Sequence, residues 1–227
     1  MKNKLLLTVM AVILLILPLV LFLSHSFAKE EKFAYLTFDD GPTLNTPVIL
    51  EHLERYGAKA TFFVLEERIV MYPEYIKDII HSKNAIGLHG VSHSDAIYLT
   101  DTSPLSEMEK ANNSLENIAG IRTPLARVPF GSSYRLSKAQ AKNLENGGYI
   151  LWDWNVDPRD SVGKIIPEKV LANLRRDLAK CKDEPIILFH DRKSTAQLLP
   201  LVLEYLTNEG YTMLPISDKQ KPVCHMR

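Results

Sequence analysis

The sequence predicts an α/β protein built on a parallel sheet. Two observations carry that expectation. Short apolar runs alternate with amphipathic segments of helical period from residue 30 to the C-terminus, and titratable residues collect where the apolar runs end. The composition, 46% hydrophobic and 24% charged with 10 Gly and 13 Pro in 227 residues, is that of a folded chain and excludes disordered and fibrous classes. Residues 29–227 contain no Pro/Gly/Ser-rich linker, so they are expected to form one domain.

The strand candidates are Phe33–Phe38, Ala60–Leu65, Ala85–Leu88, Leu125–Val128, Tyr149–Val156, Pro185–Phe189 and Tyr211–Ile216, which makes about seven parallel strands. Between the first two, Asn45 or Thr46 can cap a helix with Pro47 at its first position. Val48, Ile49, His52, Leu53 and Tyr56 would line one face, and Gly57 would close it. Further helices are expected over Glu74–Ser82, Pro104–Ala119 with Ser103 as cap and Gly120 as stop, Ser137–Asn146, Pro167–Lys180 and Thr195–Asn208. Such an alternation fits a closed, barrel-like sheet or an open doubly wound one. Both place functional groups at the C-terminal ends of the strands.

Residues 1–28 stand apart. Lys2 and Lys4 precede an apolar run from Leu5 to Leu23, and Ser26-Phe27-Ala28 offers a small-x-small site, the pattern of an export signal peptide cleaved after Ala28. The run of 19 residues is also long enough to span a bilayer, so retention as an N-terminal membrane anchor is the alternative, with residues 5–23 the only membrane contact. Either outcome makes the domain extracytoplasmic, secreted or anchored at the cell surface. The chain balances 27 basic against 27 acidic residues, and removing residues 1–28 leaves 25 against 27, a net charge of −2. Neither balance suits a nucleic-acid partner. A monomer is expected. Cys181 and Cys224 are either free thiols or one bridge tying down the C-terminal tail.

The strand exits supply the candidate site: Asp39 and Asp40, His89 and His93, Arg127, Asp157 and Asp160, and His190 and Asp191. In Asp39-Asp40-Gly41-Pro42 the β-period sends two adjacent carboxylates in opposite directions, so that one can bind while the other takes a proton. On turn chemistry alone such a run is a solvated turn. His89 and His93, four apart, would share a face if the segment were a helical turn, and two histidines with a carboxylate form a common open zinc set. The bland alternative is a pair of surface histidines. His25, His52, His81 and His225 read as structural or solvated. His190 differs because it ends the apolar run Ile186-Ile187-Leu188-Phe189.

Taken together these segments resemble the polysaccharide deacetylases with the NodB homology domain. Thr37-Phe38-Asp39-Asp40-Gly41-Pro42 is similar to the family's first motif and His89-Gly90-Val91-Ser92-His93 to its metal-binding motif. Arg127-Val128-Pro129-Phe130-Gly131, Asp157-Pro158-Arg159-Asp160 and Leu188-Phe189-His190 resemble the third, fourth and fifth, in order. The resemblance implies a distorted (β/α) barrel over residues 29–227. It also implies removal of N-acetyl groups from a cell-surface polysaccharide, most like that of bacterial peptidoglycan N-acetylglucosamine deacetylases, with chitooligosaccharides as other substrates. It implies a divalent metal on Asp40, His89 and His93, Zn2+ before Co2+, Ni2+ or Mn2+, with Asp39 as general base and His190 as general acid. Arg127 would pair with Asp39 and Asp160 would orient His190. The backbone N–H of Phe130, after Pro129, would face the oxyanion.

Two residues depart from the family pattern. Gly90 stands where Ser or Thr is usual, which removes a hydroxyl that braces the metal loop. Ser161 stands where Trp is usual, which leaves a pocket wall to Trp152 or Trp154. Two other functions compete: a metal-free glycosidase using Asp39 and Asp157, and a wall-binding protein that keeps the fold without turnover.

Overall fold

The computed structural model describes residues 31–133 and 135–225. The N-terminal segment expected to be a signal or an anchor lies outside the described residues. Among the described residues there are seven strands, all parallel: β1 Lys32–Gly41, β2 Ala60–Val64, β3 Ala85–Leu88, β4 Leu125–Ala126, β5 Ile150–Leu151, β6 Ile186–His190 and β7 Tyr211–Met213. The order β5-β4-β3-β2-β1-β6 sets the sixth strand beside the first, and β7 pairs with the first residues of β1.

Closure decides between the two architectures left open by the sequence. Ile150 and Leu151 pair with β4, and five residues later Val156 bridges Ile187 of β6, donating to the Ile186 carbonyl and accepting from the Leu188 amide. One segment therefore touches both ends of the ribbon and curls it into a distorted barrel. The long strand expected over Tyr149–Val156 is reduced to two residues plus this bridge, because the chain leaves one neighbour to reach the other.

Among the described residues seven α-helices connect the strands: α1 Thr46–Arg55, α2 Glu66–Met71, α3 Pro73–His81, α4 Ser103–Ala119, α5 Lys138–Asn146, α6 Pro167–Leu178 and α7 Lys193–Asn208. Their ends follow the expected local chemistry. Pro47 lies in the first turn of α1, and Gly120 ends α4 in the left-handed conformation. At α5 the Ser137 side chain accepts from Gln140 N–H while the Gln140 side chain accepts from Ser137 N–H, a complete capping box. The sequence reading missed α2 and a 3-10 turn at Asp95–Tyr98. Both are too short for a helical period to register.

Period-2 alternation divides the core. On β1, Ala34, Leu36 and Phe38 face outward into the large cluster beneath the helices, while Tyr35 joins Phe63, Leu125, Trp152, Ile186 and Ile216 in a second, smaller cluster. Thr37 and Asp39 share the parity of Tyr35, which puts Asp39 at the upper end of that interior row. A bulge then interrupts β1. Asp39 pairs with Phe63 but Gly41 pairs with Val64, and Asp40, the extra residue, adopts φ +69°. The alternation that would have sent Asp40 outward is broken there.

Gly87 on β3 makes room for the Phe63 ring, since a Cβ at this position would fall 2.5 Å from ring carbons. Phe63 is buried and carries the Arg127 guanidinium over its face, 4.1 Å from the ring centroid. Gly87→Ala should therefore lower unfolding stability by about 1–3 kcal/mol through overpacking. Urea denaturation should show a reduced midpoint at unchanged m-value.

Candidate active site

The strand ends bring together the residues singled out in the sequence. Arg127, at the end of β4, is fully buried. Its Nη1 donates to Asp39 Oδ1 at 2.9 Å and to Thr37 Oγ1 at 2.7 Å, Nε to the Trp152 carbonyl at 3.2 Å, and Nη2 to the Asp153 carbonyl at 2.8 Å. This buried charge is thus paired and hydrogen-bonded, the condition under which burial is tolerated.

Asp39 and Asp40 both face His89. Asp39 Oδ2 lies 3.8 Å and Asp40 Oδ1 3.7 Å from His89 Nε2, and His93 Nε2 is also 3.7 Å from Asp40 Oδ1. Strand parity alone would have separated the two acids; the bulge at Asp40 reunites them over the rim. The histidines are not on a helical turn, as their spacing suggested. His89 follows β3, Gly90 takes φ +89°, and a bend returns His93 to the same carboxylate.

Ligand atoms of Asp40, His89 and His93 all lie within 4.8 Å of one another. His89 Nδ1 is 2.7 Å from the Arg127 carbonyl, so the ring donates there and leaves the Nε2 lone pair for a cation. Asp40 Oδ2 accepts from Arg192 at 3.0 Å, but Asp40 Oδ1 is buried without a hydrogen-bond partner. A buried carboxylate oxygen costs free energy unless something binds it, and a divalent cation among these three side chains fits that need. Burial works against the Asp40 carboxylate, yet His89, His190, His93 and Arg192 hold its pKa below the ordinary value. Burial pushes His89 toward its neutral, ligating form.

His190 closes the rim from β6. Its Nδ1 is 2.8 Å from Asp160 Oδ1 and its own amide donates to Asp160 Oδ2 at 2.8 Å, while Thr195 also donates to Oδ2. Burial alone would depress the imidazole, but the bond to Asp160 and the charges of Asp160, Asp39 and Asp40 raise its pKa. Asp191 turns away from chemistry: it accepts from Thr43 and Thr46, braces the turn after β1, and has its pKa raised by burial.

Phe130 sits at φ +65° with its ring edge-on to His93, centroids 4.3 Å apart, and its amide donates to no acceptor among the described residues. The preceding Pro129 carbonyl accepts from Tyr98. A cavity of about 340 Å³ opens beside Asp40 and His93, with Arg68 and Arg192 on its wall.

Comparisons with known proteins place this site in a family. Residues 27–147 match the family model described as polysaccharide deacetylase. The chain belongs to the polysaccharide deacetylase family. It is 36% identical over 210 residues to YheN of Bacillus subtilis, covering 89% of this chain and 74% of that one. It is 31% identical to a peptidoglycan-N-acetylglucosamine deacetylase of Bacillus cereus, covering 81% and 68%. Among solved structures, the polysaccharide deacetylase Bc1974 of Bacillus cereus superposes with a TM-score of 0.78 at 28% identity, covering 86% of this chain and 97% of that one. A family of deacetylases leaves the glycosidase alternative without support.

The rim of this deacetylase also holds residues that no motif announced. Arg192 reaches Asp40 and Thr195 reaches Asp160, both from the start of α7, which begins two residues earlier than expected. Trp152, one of two candidate pocket walls, is a core residue inside the barrel. Trp154 is the one beside the third motif, against Gly131 and His225. The cysteines are unbridged. Asp153 ties the tail instead, donating its amide to the Val223 carbonyl and accepting the His225 amide.

Arg127→Met should lower stability by about 3–5 kcal/mol, because it strands Asp39 as an unpaired buried carboxylate. The double variant Arg127→Met/Asp39→Asn should recover part of that loss in denaturant unfolding.

Proposed function

We propose that residues 29–227 form a metal-dependent hydrolase that removes the N-acetyl group from N-acetylglucosamine in peptidoglycan, acting outside the cytoplasm. The observation that carries this reading is the orphaned Asp40 Oδ1 facing His89 and His93, beside an Asp39 held by Arg127. Family membership supplies the reaction class, and the names of the relatives supply the polymer. One relative from Bacillus subtilis is named as a peptidoglycan-N-acetylmuramic acid deacetylase, 32% identical and only 42% covered, so the sugar itself is a point for experiment.

Asp40, His89 and His93 would hold the cation, and two imidazoles with one carboxylate favour zinc. A bound divalent cation supplies Lewis-acid polarisation of the acetyl carbonyl and acidifies the attacking water. Asp39, its carboxylate oriented by Arg127, takes the proton of the attacking water. The Phe130 amide, which has no acceptor among the described residues, donates to the oxygen on which negative charge develops. His190 gives its proton to the departing amine, which is a poor leaving group unless protonated, and Asp160 fixes the ring for that transfer.

Asp39→Asn should retain bound zinc and lose turnover, whereas Asp40→Asn should lose both. Elemental analysis beside acetate release from peptidoglycan, chitooligosaccharides and acetylated xylan checks this. Equal metal loss in both variants would overturn the assignment, and acetate from xylan alone would exclude peptidoglycan.

The pH profile of kcat/KM tests His190. A general acid must be protonated, so activity is lost as pH rises through its pKa, and a raised pKa puts that alkaline limb above the ordinary value of about 6.5. Asp160→Asn removes the Asp160 charge that raises it, leaving burial, which lowers it, opposed by the charges of Asp39 and Asp40. The limb should move to lower pH at normal metal content. A limb that follows the identity of the metal and ignores Asp160 would remove His190 from this role.

A further inference from the structure

We propose that Glu107 is the positioning residue of the metal-binding loop, and that Gly90 and Glu107 are a matched pair. The inference rests on reading Asp40, His89 and His93 as the metal ligands. Three residues, Gly90, Val91 and Ser92, separate the two histidines, and none of them is helical. Their backbone must be fixed from outside if both imidazoles are to meet one carboxylate.

The loop is held from two sides. From below, the first amides of α2 donate to it, Glu66 N–H to the Gly90 carbonyl at 2.9 Å and Glu67 N–H to the Val91 carbonyl at 3.2 Å. From α4, Glu107 Oε2 accepts the Val91 amide at 3.0 Å. Among the described residues this is the only side-chain hydrogen bond to the loop backbone between the histidines. α4 also steadies α2, since Ser114 and Lys110 bind the Glu66 carboxylate at 2.9 and 3.2 Å. Glu107 thus acts directly on the loop, and its neighbours act on the element beneath it.

The absent side chain at position 90 is what admits Glu107. A Cβ built there would lie 2.9 Å from Glu107 Oε2 and 3.2 Å from Ile97 Cδ1, and φ +89° disfavours any L side chain. A hydroxyl-bearing residue at 90 and the Glu107 carboxylate compete for one volume. Gly90 therefore does not leave the loop unbraced, as the sequence suggested; the brace comes from a helix instead.

Zinc affinity, measured by chelator competition alongside thermal melting of the metal-free proteins, tests the pairing. Glu107→Ala should weaken zinc about 10- to 100-fold, the usual cost of losing a group that orients metal ligands, with little change in metal-free melting. Glu107→Gln retains an oxygen for the Val91 amide and should keep most of the affinity. Gly90→Ala, with Glu107 intact, should also weaken zinc by displacing the carboxylate, and the loss in the double variant with Glu107→Ala should be smaller than the product of the two single losses. It serves as the second test if Glu107→Ala fails to fold. Unchanged affinity in Glu107→Ala, equal loss in the Ala and Gln variants, or fully multiplicative losses would each overturn the inference. His93→Ala is the control: zinc held as tightly in that variant as in wild type defeats the metal-site reading itself, whereas loss there with none in Glu107→Ala defeats this inference alone.

Discussion

The buried guanidinium of Arg127 is the constraint on which the rest of the site depends. A fully buried cation must find its hydrogen bonds within the protein, and Arg127 takes them from Thr37 and Asp39 of β1 and from the carbonyls of Trp152 and Asp153 in the segment that closes the barrel. Its own carbonyl receives His89. The carboxylate proposed as base, a histidine proposed as ligand and the closing segment are therefore all referenced to one residue. Phe63 supplies a flat support beneath it, and Gly87 supplies the room for Phe63. A site so arranged keeps its donors and acceptors in place before any substrate arrives, which is where electrostatic catalysis gains most.

Around that centre the acidic residues are separated by environment rather than by type. Asp39 has a guanidinium, Asp160 has an imidazole, an amide and a hydroxyl, and Asp191 has two threonine hydroxyls. Asp40 has one arginine on its outer oxygen and nothing on its inner one. Burial raises Asp157 and Asp191, whereas at Asp40 the imidazoles and Arg192 overcome it. Asp40 therefore combines a favoured negative charge with a buried oxygen that has no hydrogen-bond partner, the combination that a divalent cation requires.

Much of this was legible in the sequence because it is local. The strand exits at Asp39, His89, Arg127 and His190 follow from apolar runs ending in titratable residues, and the helix ends follow from Pro47, Ser137 and Gly120 acting on their own turns. The partner of the Val91 amide was not legible. Glu107 lies 16 residues away in a helix with no motif, and nothing in the pattern of α4 distinguishes it from its solvated neighbours. The same holds for Arg192 and Thr195, which reach the rim because α7 starts immediately after β6. The geometry of the histidine pair was misread for a related reason. A spacing of four fits a helical turn, but a glycine at positive φ and two amides from a short helix produce the same convergence without one.

The sequence by itself determined which chemistry was available: two adjacent acids, a histidine pair, an arginine and a further histidine with its acid, each at the end of a run that had to become a parallel strand. Apolar periodicity and turn residues act over a few positions, so they survive being read one segment at a time. Only the tertiary structure decided how those groups face one another. Whether the sheet closes depended on Val156 reaching Ile187, and whether Asp40 joins Asp39 depended on one extra residue in β1. Gly90, read alone as a lost hydroxyl, proved to be the space for Glu107. These are long-range matters of register, closure and volume, and volume is shared between residues that the chain keeps far apart.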